Sequence, residues 1–581
     1  MFKNLLSLLL SLSGIYCCAG ECWDLSAVNP IKAKTLNTTL THDKNQFKVR
    51  AASFYMAMPD KTELFTMIAA PVNMTENDKY PIVFIRTPYA KAGNTNLMNF
   101  CKSQISYLRQ GYAVVYQHCR GTGASGGDFI PYINERADGL ETLRQIRLLP
   151  FYNAEIFLTG NSYLATVHYS YLDAAPDDIK GAVLLVQAID RYNFRFRNNI
   201  LRANSAGWHF INFNMRSLGK KNYKLNMFRM LPLADLTKEV FGESVPVIDN
   251  MHKSSDPDDE YWQTETGGAG FKQALSNYNF PILFVGGLYD IYTGENFKMW
   301  NSLVPEQRQI SSMIMTPYDH SPPTGFRAKH HPIDFENGSL DKIWKNFRCD
   351  FFEYCRNRNK KPEFITPGNI TYYALWEKKW YTEPTLADGT QKLTLFLGDR
   401  TLQNQSGKGE ISYTYDPQKP AVFPAGCNFS QGGMKEQPPA NFRKDVISFV
   451  SEKFTGNIKV RGKMSARIYV KSDREDTTFY LRLNIVKGDK TYCLREDIMP
   501  ISKQHSNYKA GSTVPLDFSF IEHAFTVEKG DRLRLDISSS CWPNFVPHTN
   551  LPGDRFYHTS SKVANNTVVL ENSSITLNTQ P

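Results

Sequence analysis

A strand that ends in a sharp turn constrains the fold of this chain more than any other feature. Residues 155–165 read E-I-F-L-T-G-N-S-Y-L-A, a short apolar run followed by Gly160 and then by a segment with helical spacing. Ser162 lies two residues after that glycine. A serine on a strand-to-helix turn has the geometry of a nucleophile elbow, which presents its hydroxyl at the carboxyl edge of a parallel sheet. Because Gly-x-Ser alone is a weak signal, the interpretation needs support from the rest of the chain.

The segments on both sides of the turn alternate between apolar strands and helical stretches, which favours a mostly parallel, doubly wound α/β sheet. We predict buried strands at residues 80–86, 112–117, 156–158, 181–186, 280–285 and 310–315. We predict helices at residues 99–110 and 135–149.

The pattern changes twice along the chain, which predicts two further units. Residues 189–275 are rich in aromatic residues, Asn, Met and Arg, and have helical character with no clear strand. This block indicates a helical cap inserted between two parts of the sheet domain, residues 40–188 and 276–358. Residues 359–577 contain short alternating runs separated by Gly, Pro and Asn, as is typical of an antiparallel jelly-roll β-sandwich.

The size and the charge of the chain agree with several domains and exclude some functions. A chain of 581 residues exceeds what one hydrophobic core usually spans. The net charge of +10 is spread along the sequence, with no arginine-rich arm and no zinc-finger spacing. We therefore expect no nucleic-acid partner.

The N-terminus has the pattern of a secretory signal peptide. Lys3 precedes an apolar run, residues 5–15, which is too short to span a bilayer, and small residues follow at Ala19 and Gly20. We predict a signal peptide over residues 1–20, no membrane association after its removal, and a secreted or periplasmic protein. Lipidation at Cys17 or Cys18 is the weaker alternative, since bulky residues stand before them.

An even number of cysteines remains after the predicted cleavage, which suggests disulfides in an exported protein. The residues are Cys22, Cys101, Cys119, Cys349, Cys355, Cys427, Cys493 and Cys541. Cys349 with Cys355 could close a local loop, and Cys493 with Cys541 could join neighbouring strands. The alternative is a set of buried free thiols. No Cys/His cluster has zinc spacing, so we expect no metal.

Two residues stand where a serine nucleophile needs its base and the group that orients the base. Asp290 and His320 each follow a predicted strand, in the chain order serine, acid, histidine that α/β-hydrolases use. Ends of adjacent parallel strands meet at one sheet edge, so both should lie near Ser162. Each residue alone could be a loop cap or a surface histidine, but the joint order favours a catalytic triad. Asp319 is a weaker alternative acid, because adjacent loop residues rarely orient each other.

Two donors are candidates for an oxyanion hole. The residue after the nucleophile, Tyr163, supplies a backbone N–H. The hydroxyl of Tyr89, in the loop after the strand at residues 80–86, could supply the second donor. The commoner role of such a tyrosine is packing.

The motifs together resemble one family, the cocaine esterase and X-Pro dipeptidyl-peptidase family of serine hydrolases, which also includes α-amino-acid ester hydrolases and acylases. The matching segments, in family order, are R-T-P-Y (86–89), C-R-G-T-G-A-S-G-G-D-F (119–129), G-N-S-Y-L-A (160–165), G-L-Y-D (287–290), D-H-S (319–321) and G-D-R-L-R-L-D-I-S-S-S (530–540). They extend over nearly the whole chain after the signal peptide.

The resemblance implies an α/β-hydrolase domain with a cap and a C-terminal jelly roll, and no cofactor. It also implies Ser162 as nucleophile, His320 as base, Asp290 as orienting acid, and Tyr89 with Tyr163 as oxyanion hole. The chain departs from the family at Ala165, where glycine is usual, and we expect only a slight change in packing. The glycine-rich segment 119–129 lacks the ending of a phosphate-binding loop, so a structural role is expected.

The predicted function is a secreted serine hydrolase that cleaves a carboxylic ester or amide through an acyl-enzyme on Ser162. Five cap aromatics are candidate walls of the acyl pocket: Trp208, Phe210, Phe213, Tyr261 and Trp262. The alternative is an X-Pro dipeptidyl-peptidase or an α-amino-acid ester hydrolase or acylase, whose substrate ammonium would need carboxylates such as Asp256 and residues 258–260. A more remote alternative is a silent binding protein that uses the jelly roll. The sequence also allows a homodimer.

Overall fold

The structure is a computed structural model that describes residues 23–42, 45–72, 79–91, 93–187, 190–215, 218, 222–264, 278–320, 335, 337–427 and 432–581. The predicted signal peptide and Cys22 lie outside these residues. Among the residues that are described, no helix is both long enough and apolar enough to cross a membrane.

The strands are named in chain order. They are β1 (Ile31–His42), β2 (Asn45–Ala57), β3 (Glu63–Pro71), β4 (Tyr80–Thr87), β5 (Ala113–His118), β6 (Tyr152–Asn161), β7 (Ile179–Leu185), β8 (Phe196–Arg197), β9 (Ile200–Leu201), β10 (Ile282–Gly287), β11 (Ser312–Thr316), β12 (Ile370–Ala374), β13 (Lys379–Glu383), β14 (Gln391–Leu397), β15 (Thr401–Gln403), β16 (Glu410–Tyr415), β17 (Ile447–Ser451), β18 (Ile458–Ser472), β19 (Thr478–Lys487), β20 (Lys490–Pro500), β21 (Val514–Val527), β22 (Arg532–Ser538) and β23 (Ala564–Gln580).

The helices are named in the same way. They are α1 (Leu97–Ser103), α2 (Ile105–Leu108), α3 (Glu135–Ile146), α4 (Tyr163–Tyr169), α5 (Arg191–Arg195), α6 (Ala203–Asn212), α7 (Leu236–Phe241), α8 (Pro246–Lys253), α9 (Thr293–Ser302), α10 (Pro305–Ile310), α11 (Leu340–Ile343), α12 (Phe347–Arg356) and α13 (Ile501–Gln504). Short 3₁₀ turns lie at Ser26–Val28, Leu172–Ala174, Leu225–Arg229, Leu233–Asp235, Glu260–Gln263 and Arg555–Tyr557.

The first part of the chain builds a mixed sheet. In the described residues its order is β1-β2-β3-β5-β4-β6-β7-β10-β11-β12-β13. The strands from β5 to β12 run parallel to one another, and the strands at both edges are antiparallel. The central strands β10 and β11 are buried along their whole length, as expected for parallel strands covered on both faces. The predicted doubly wound α/β sheet is therefore confirmed.

The C-terminal part forms a second, mainly antiparallel sheet that folds over on itself as a β-sandwich, with one parallel pair between β15 and β17. Its order in the described residues is β20-β19-β22-β17-β15-β14-β23-β18-β21, with β16 paired to β23. The long strand β18 alternates between buried and exposed positions and contains irregularities in its register, which let one strand bend around the core. The end strands β20 and β21 contact each other. This agrees with the predicted jelly-roll sandwich.

Helices α5 to α8 leave the sheet between β7 and β10, as predicted for the cap. The prediction that residues 189–275 contain no strand was wrong in one detail, because β8 and β9 form a small antiparallel hairpin. Arg197 in this hairpin makes an ion pair of 2.7 Å with Asp497 of the sandwich, whose side chain is fully buried. The hairpin therefore ties the cap to the C-terminal domain.

The expected disulfides are not formed among the described residues, where all seven cysteines carry free thiols. Cys349 and Cys355 both lie on α12, and six helical residues separate their Cα atoms by about 9 Å, which is beyond disulfide reach. Cys349 faces the carbonyl of Ser106, at 3.8 Å. Burial raises the pKa of both Cys493 and Cys541 to about 12. The alternative of free thiols is the one observed, with six of the seven described cysteines buried and Cys355 partly exposed.

The glycine-rich segment 119–129 forms a tight turn after β5. Gly121 and Gly123 have positive φ, and a Cβ on Gly121 would lie 2.0 Å from the backbone nitrogen of Phe129. Arg120 closes the turn through an ion pair with Asp138, at 2.7 Å. These contacts give the segment a structural role.

Candidate active site

The turn between β6 and α4 places Ser162 at the carboxyl edge of the parallel sheet. Ser162 has φ 56° and ψ −127°, a conformation that costs about 1–3 kcal/mol for a residue other than glycine. A Cβ on Gly160 would lie 2.3 Å from the carbonyl of Leu164, so only glycine lets the helix approach the strand this closely. Ala165 is completely buried in the same contact region. The fold therefore has room for alanine at position 165, where the family usually has glycine.

Asp290 and His320 lie in the loops after β10 and β11, which are adjacent parallel strands. Gly287 allows these loops to touch, because a Cβ there would lie 2.3 Å from the carbonyl oxygen of Tyr318. Asp290 is completely buried, and Thr293 donates a hydrogen bond to its backbone carbonyl at 2.6 Å. The loop that carries the acid is therefore held rigidly.

A continuous hydrogen-bonded chain joins three side chains. His320 Nε2 lies 2.9 Å from Ser162 Oγ, and His320 Nδ1 lies 2.9 Å from Asp290 Oδ1. The imidazole is largely buried, with 16% of its side-chain surface exposed. The partner of Nδ1 is thus Asp290, which the sequence favoured over Asp319. The chain has the geometry in which a serine can lose its proton to a histidine held in one tautomer.

Tyr89 brings its hydroxyl to the same place. Its hydroxyl interacts with Ser162, with the Trp208 side chain and with the backbone amide of Tyr163. The ring of Tyr89 is partly exposed, but its oxygen is enclosed, and burial raises its pKa to about 12. A phenol and a backbone N–H therefore converge beside the serine, as two donors to a developing oxyanion would.

A buried charged group that the sequence analysis missed holds Tyr163 in place. The Tyr163 hydroxyl donates to Glu135 Oε1 at 3.1 Å and accepts from the backbone of Tyr132 at 2.7 Å. Glu135 pairs with Arg86 at 3.0 Å, and both side chains are almost inaccessible. Burial raises the pKa of Glu135, which the Arg86 charge opposes. In the sequence, the signal for this buried charge was an arginine within the apolar strand predicted at residues 80–86.

The cap contributes one of its five candidate aromatics to the surroundings of Ser162. Trp208 stacks on Tyr163, with 5.2 Å between ring centroids, and meets Tyr89 edge to face at 6.4 Å. Phe210 follows two residues later on α6, about 200° around the helix, so it faces the other way. It packs against the ring of Phe228 at 5.6 Å, inside the cap core.

The remaining candidates also contact the cap interior. Phe213 packs against Phe241, and Trp262 donates its indole N–H to the carbonyl of Ser254 at 3.0 Å. Tyr261 lies against Trp262, with 5.0 Å between ring centroids. The prediction of these four as pocket walls stays without support from their contacts, because aromatic spacing does not distinguish a pocket wall from the core of a small domain.

The acidic cluster of the cap lies on its outer surface. Asp256 is 53% exposed and forms an ion pair with Lys503 at 3.7 Å. Asp258 and Glu260 are exposed. No contact joins these carboxylates to Ser162 in the described part of the chain. Within that part, no group of His, Cys, Asp and Glu side chains has the arrangement of a metal site.

The fold and the hydrogen-bonded chain define a serine hydrolase of the α/β-hydrolase class. Residues 60–322 match the family model of X-Pro dipeptidyl-peptidase (S15 family). Residues 363–574 match that of the X-Pro dipeptidyl-peptidase C-terminal non-catalytic domain. The chain belongs to this family of serine hydrolases, together with cocaine esterase.

Individual proteins are similar to this chain over most of its length. Cocaine esterase from Rhodococcus sp. (strain MB1 Bresler) is 22% identical over 519 residues, which cover 81% of this chain and 88% of the relative. An aminopeptidase from a marine sediment Thaumarchaeota archaeon superposes with a TM-score of 0.76 at 16% identity, covering 97% of this chain and 98% of the other. An α-amino acid ester hydrolase superposes with a TM-score of 0.73 at 17% identity, covering 98% and 99%.

Proposed function

We propose that this protein hydrolyses small carboxylic esters through an acyl-enzyme on Ser162, after export by its signal peptide. The observation that carries the proposal is the unbroken chain from Ser162 Oγ through His320 to Asp290, with both links at 2.9 Å. The matched family supports a hydrolytic reaction, and its cocaine esterase member supports an ester as the substrate. The reaction needs water and the protein's own side chains.

The first half-reaction forms the acyl-enzyme. Ser162 Oγ bonds to the carbonyl carbon of the ester while its proton passes to His320 Nε2. The oxyanion accepts hydrogen bonds from the Tyr89 hydroxyl and the Tyr163 amide. The carbon–oxygen bond to the alcohol then breaks, and His320 returns the proton to the leaving oxygen. Asp290 accepts a hydrogen bond from Nδ1–H and stabilises the imidazolium.

The second half-reaction releases the acid. A water molecule takes the place of the alcohol and loses its proton to His320 as it bonds to the acyl carbon. The bond to Ser162 Oγ breaks, and the serine recovers the proton from the imidazolium. One ester and one water thus give one acid and one alcohol.

The alternative is a dipeptidyl-peptidase, as the name of the matched family model suggests, or an α-amino-acid ester hydrolase, the name of a structure with a similar fold. Either activity requires a site for a free α-ammonium. The carboxylates considered for this purpose lie on the exposed surface of the cap, and Asp256 pairs with Lys503. This position favours the ester hydrolase.

A substrate panel tests the proposal on the purified full-length protein. We expect hydrolysis of 4-nitrophenyl acetate, slow or absent cleavage of Gly-Pro-anilide, and covalent labelling by a fluorophosphonate probe. Rapid cleavage of Gly-Pro-anilide with inert esters would instead establish the peptidase. Failure of the intact protein to take up the probe would contradict the acyl-enzyme mechanism altogether.

Replacing Tyr89 with phenylalanine should lower kcat for an aryl ester by about 10²–10³-fold, because one oxyanion donor is lost while the ring contact with Trp208 stays. KM should change little. Since burial raises the pKa of the phenol to about 12, the wild-type rate should not fall between about pH 8 and pH 10 through loss of this proton.

The matched control is Tyr557→Phe, which removes a hydroxyl from a tyrosine that is 59% exposed. Steady-state kinetics should find this variant equal to the wild type. If both variants retain full kcat, Tyr89 is a packing residue.

A further inference from the structure

A cavity lies between the nucleophile turn and the helices α1, α2 and α12. Its volume is about 390 Å³, within the range of sites for small molecules. Gly160, Asn161 and Leu164 form part of its wall, on either side of the nucleophile in the sequence. Neither Ser162 nor His320 is among the described residues that line it. The cavity therefore adjoins the turn without including the serine or the base.

Two cationic side chains line this cavity. Arg348 Nη2 donates to Asn161 Oδ1 at 3.0 Å, and the guanidinium carbon lies 4.5 Å from the ring centroid of Phe347. Lys345 lies three residues earlier, at an exposed position. In the described part of the chain, neither cation forms an ion pair. A guanidinium has five N–H donors, so Arg348 has donors left for a ligand after its bond to the amide oxygen.

The carboxylates close to these cations do not line the cavity. Asp350 accepts a hydrogen bond from the indole N–H of Trp344 at 2.6 Å. Burial raises the pKa of Asp341, and the charge of Arg348 opposes the rise. Within the described residues, the lining contains Arg348 and Lys345 but no carboxylate. The charge of this lining is therefore positive.

The start of α12 adds partial positive charge to the same place. This helix has 10 residues, and in the described structure the side chain of its N-cap residue, Asn346, makes no hydrogen bond to the first turn. The first N–H groups of a helix have no partner within the helix, and the helix dipole favours an anion beside them. Residues 346–349 line the cavity, so this effect acts together with the two cations.

Apolar side chains form another part of the lining. Ile85 from β4, Leu164 from α4 and Phe347 from α12 all contribute to it. A volume of about 390 Å³ exceeds what an inorganic ion needs, since one water molecule occupies about 30 Å³ of the liquid. Cationic donors match the oxygens of a carboxylate or a phosphate, and a hydrocarbon group gains free energy by leaving water. The lining therefore suits a molecule that has both parts.

We propose that this cavity binds a small organic anion. Its carboxylate or phosphate head accepts hydrogen bonds from Arg348 and Lys345, and its hydrocarbon part contacts Leu164. This binding site goes beyond the proposed ester hydrolysis and does not depend on it. Because Arg348 also donates to Asn161, the residue before the nucleophile, the bound anion and the turn share one guanidinium.

A titration followed by saturation-transfer NMR tests the proposal on the full-length protein at constant ionic strength. Benzoate and phenyl phosphate carry the two kinds of head, and benzamide and benzyl alcohol are neutral molecules of similar shape. We expect at least one anion to bind about tenfold or more tightly than the neutral probes, as hydrogen bonds to charged groups allow. Binding of benzoate alone would identify carboxylates as the ligands, and binding of phenyl phosphate alone would identify phosphates. Equal binding of anionic and neutral probes would overturn the proposal.

Variants locate the bound anion. Arg348→Gln should weaken its binding by about 10–100-fold, and Lys345→Gln by about two- to fivefold, the range of an exposed ion pair. The matched control is Arg358→Gln, which removes the same charge from an exposed residue that lies over the ring of Tyr354. Its affinity should equal that of the wild type. Thermal melting checks the fold of each variant, and Lys345→Gln decides the question if Arg348→Gln does not fold.

Labelling with a fluorophosphonate separates this site from the hydrolytic one. Anion binding that persists in the labelled protein and is weakened by Arg348→Gln supports the cavity site. Binding that is lost on labelling, or that is unchanged in both cavity variants, would place the probe elsewhere and overturn the inference. Ester hydrolysis and labelling alone decide the proposed function, so either proposal can fail while the other stands.

Discussion

Replacing Ser162 with alanine should lower kcat for an aryl ester by about 10⁵–10⁶-fold and abolish labelling by a fluorophosphonate. The residual rate would come from the oxyanion donors and from substrate binding, which the substitution leaves in place. The effect is the largest we expect, since Ser162 Oγ, 2.9 Å from His320 Nε2, is the atom that bonds to the carbonyl carbon in the proposed reaction.

Stability measurements separate this chemical loss from a loss of fold. Alanine fits the strained turn about as well as serine, because both residues carry a Cβ at φ 56°. The Tm of Ser162→Ala should therefore equal that of the wild type within about 2 °C. The matched control, Ser302→Ala at the exposed end of α9, should label and hydrolyse normally. Labelling of Ser162→Ala at the wild-type level would refute the assignment of the nucleophile.

The elbow and the order of the triad could be predicted because both depend on local sequence. Gly160 is required by a backbone contact within five residues of itself, and such a requirement is visible in a single motif. Asp290 and His320 each follow an apolar strand, and adjacency of parallel strands brings their loops together. The strand pattern therefore predicted that residues far apart in the sequence lie close together in the fold.

The cap residues were harder to predict for a physical reason. Trp208 and Phe210 are equally aromatic, and only the direction each takes around α6 separates the wall of the site from the core of the cap. A small domain uses large aromatics to fill its own interior, so composition alone cannot tell the two roles apart.

Buried charge was the least visible feature in the sequence. Arg86 contacts Glu135, 49 residues further along the chain, and Arg195 contacts His209, 14 residues further along. Neither contact produces a periodic pattern in the sequence. The same holds for the thiols, whose even number suggested disulfides although every described cysteine is a free thiol. Which side chains pair when they are far apart in the sequence depends on the fold.

Replacing Asp290 with asparagine should lower kcat by about 10⁴-fold while KM changes little. The carboxylate accepts a hydrogen bond from His320 Nδ1–H at 2.9 Å, which leaves Nε2 unprotonated and able to take the proton of Ser162. An asparagine amide that donates to Nδ1 would favour the opposite tautomer, in which Nε2 carries the hydrogen. The base would then be blocked although its position is unchanged.

The neighbouring carboxylate provides the control for this second prediction. Asp319→Asn removes the same charge one residue from His320, and we expect its kcat to fall less than about tenfold. Both variants should unfold near the wild-type temperature, since asparagine has the shape of aspartate and Asp290 is completely buried in its loop. A large loss in Asp319→Asn with a small loss in Asp290→Asn would exchange the two roles. In that case the bond at Nδ1 would orient the imidazole in the resting enzyme only, and Asp319 would stabilise the imidazolium during the reaction.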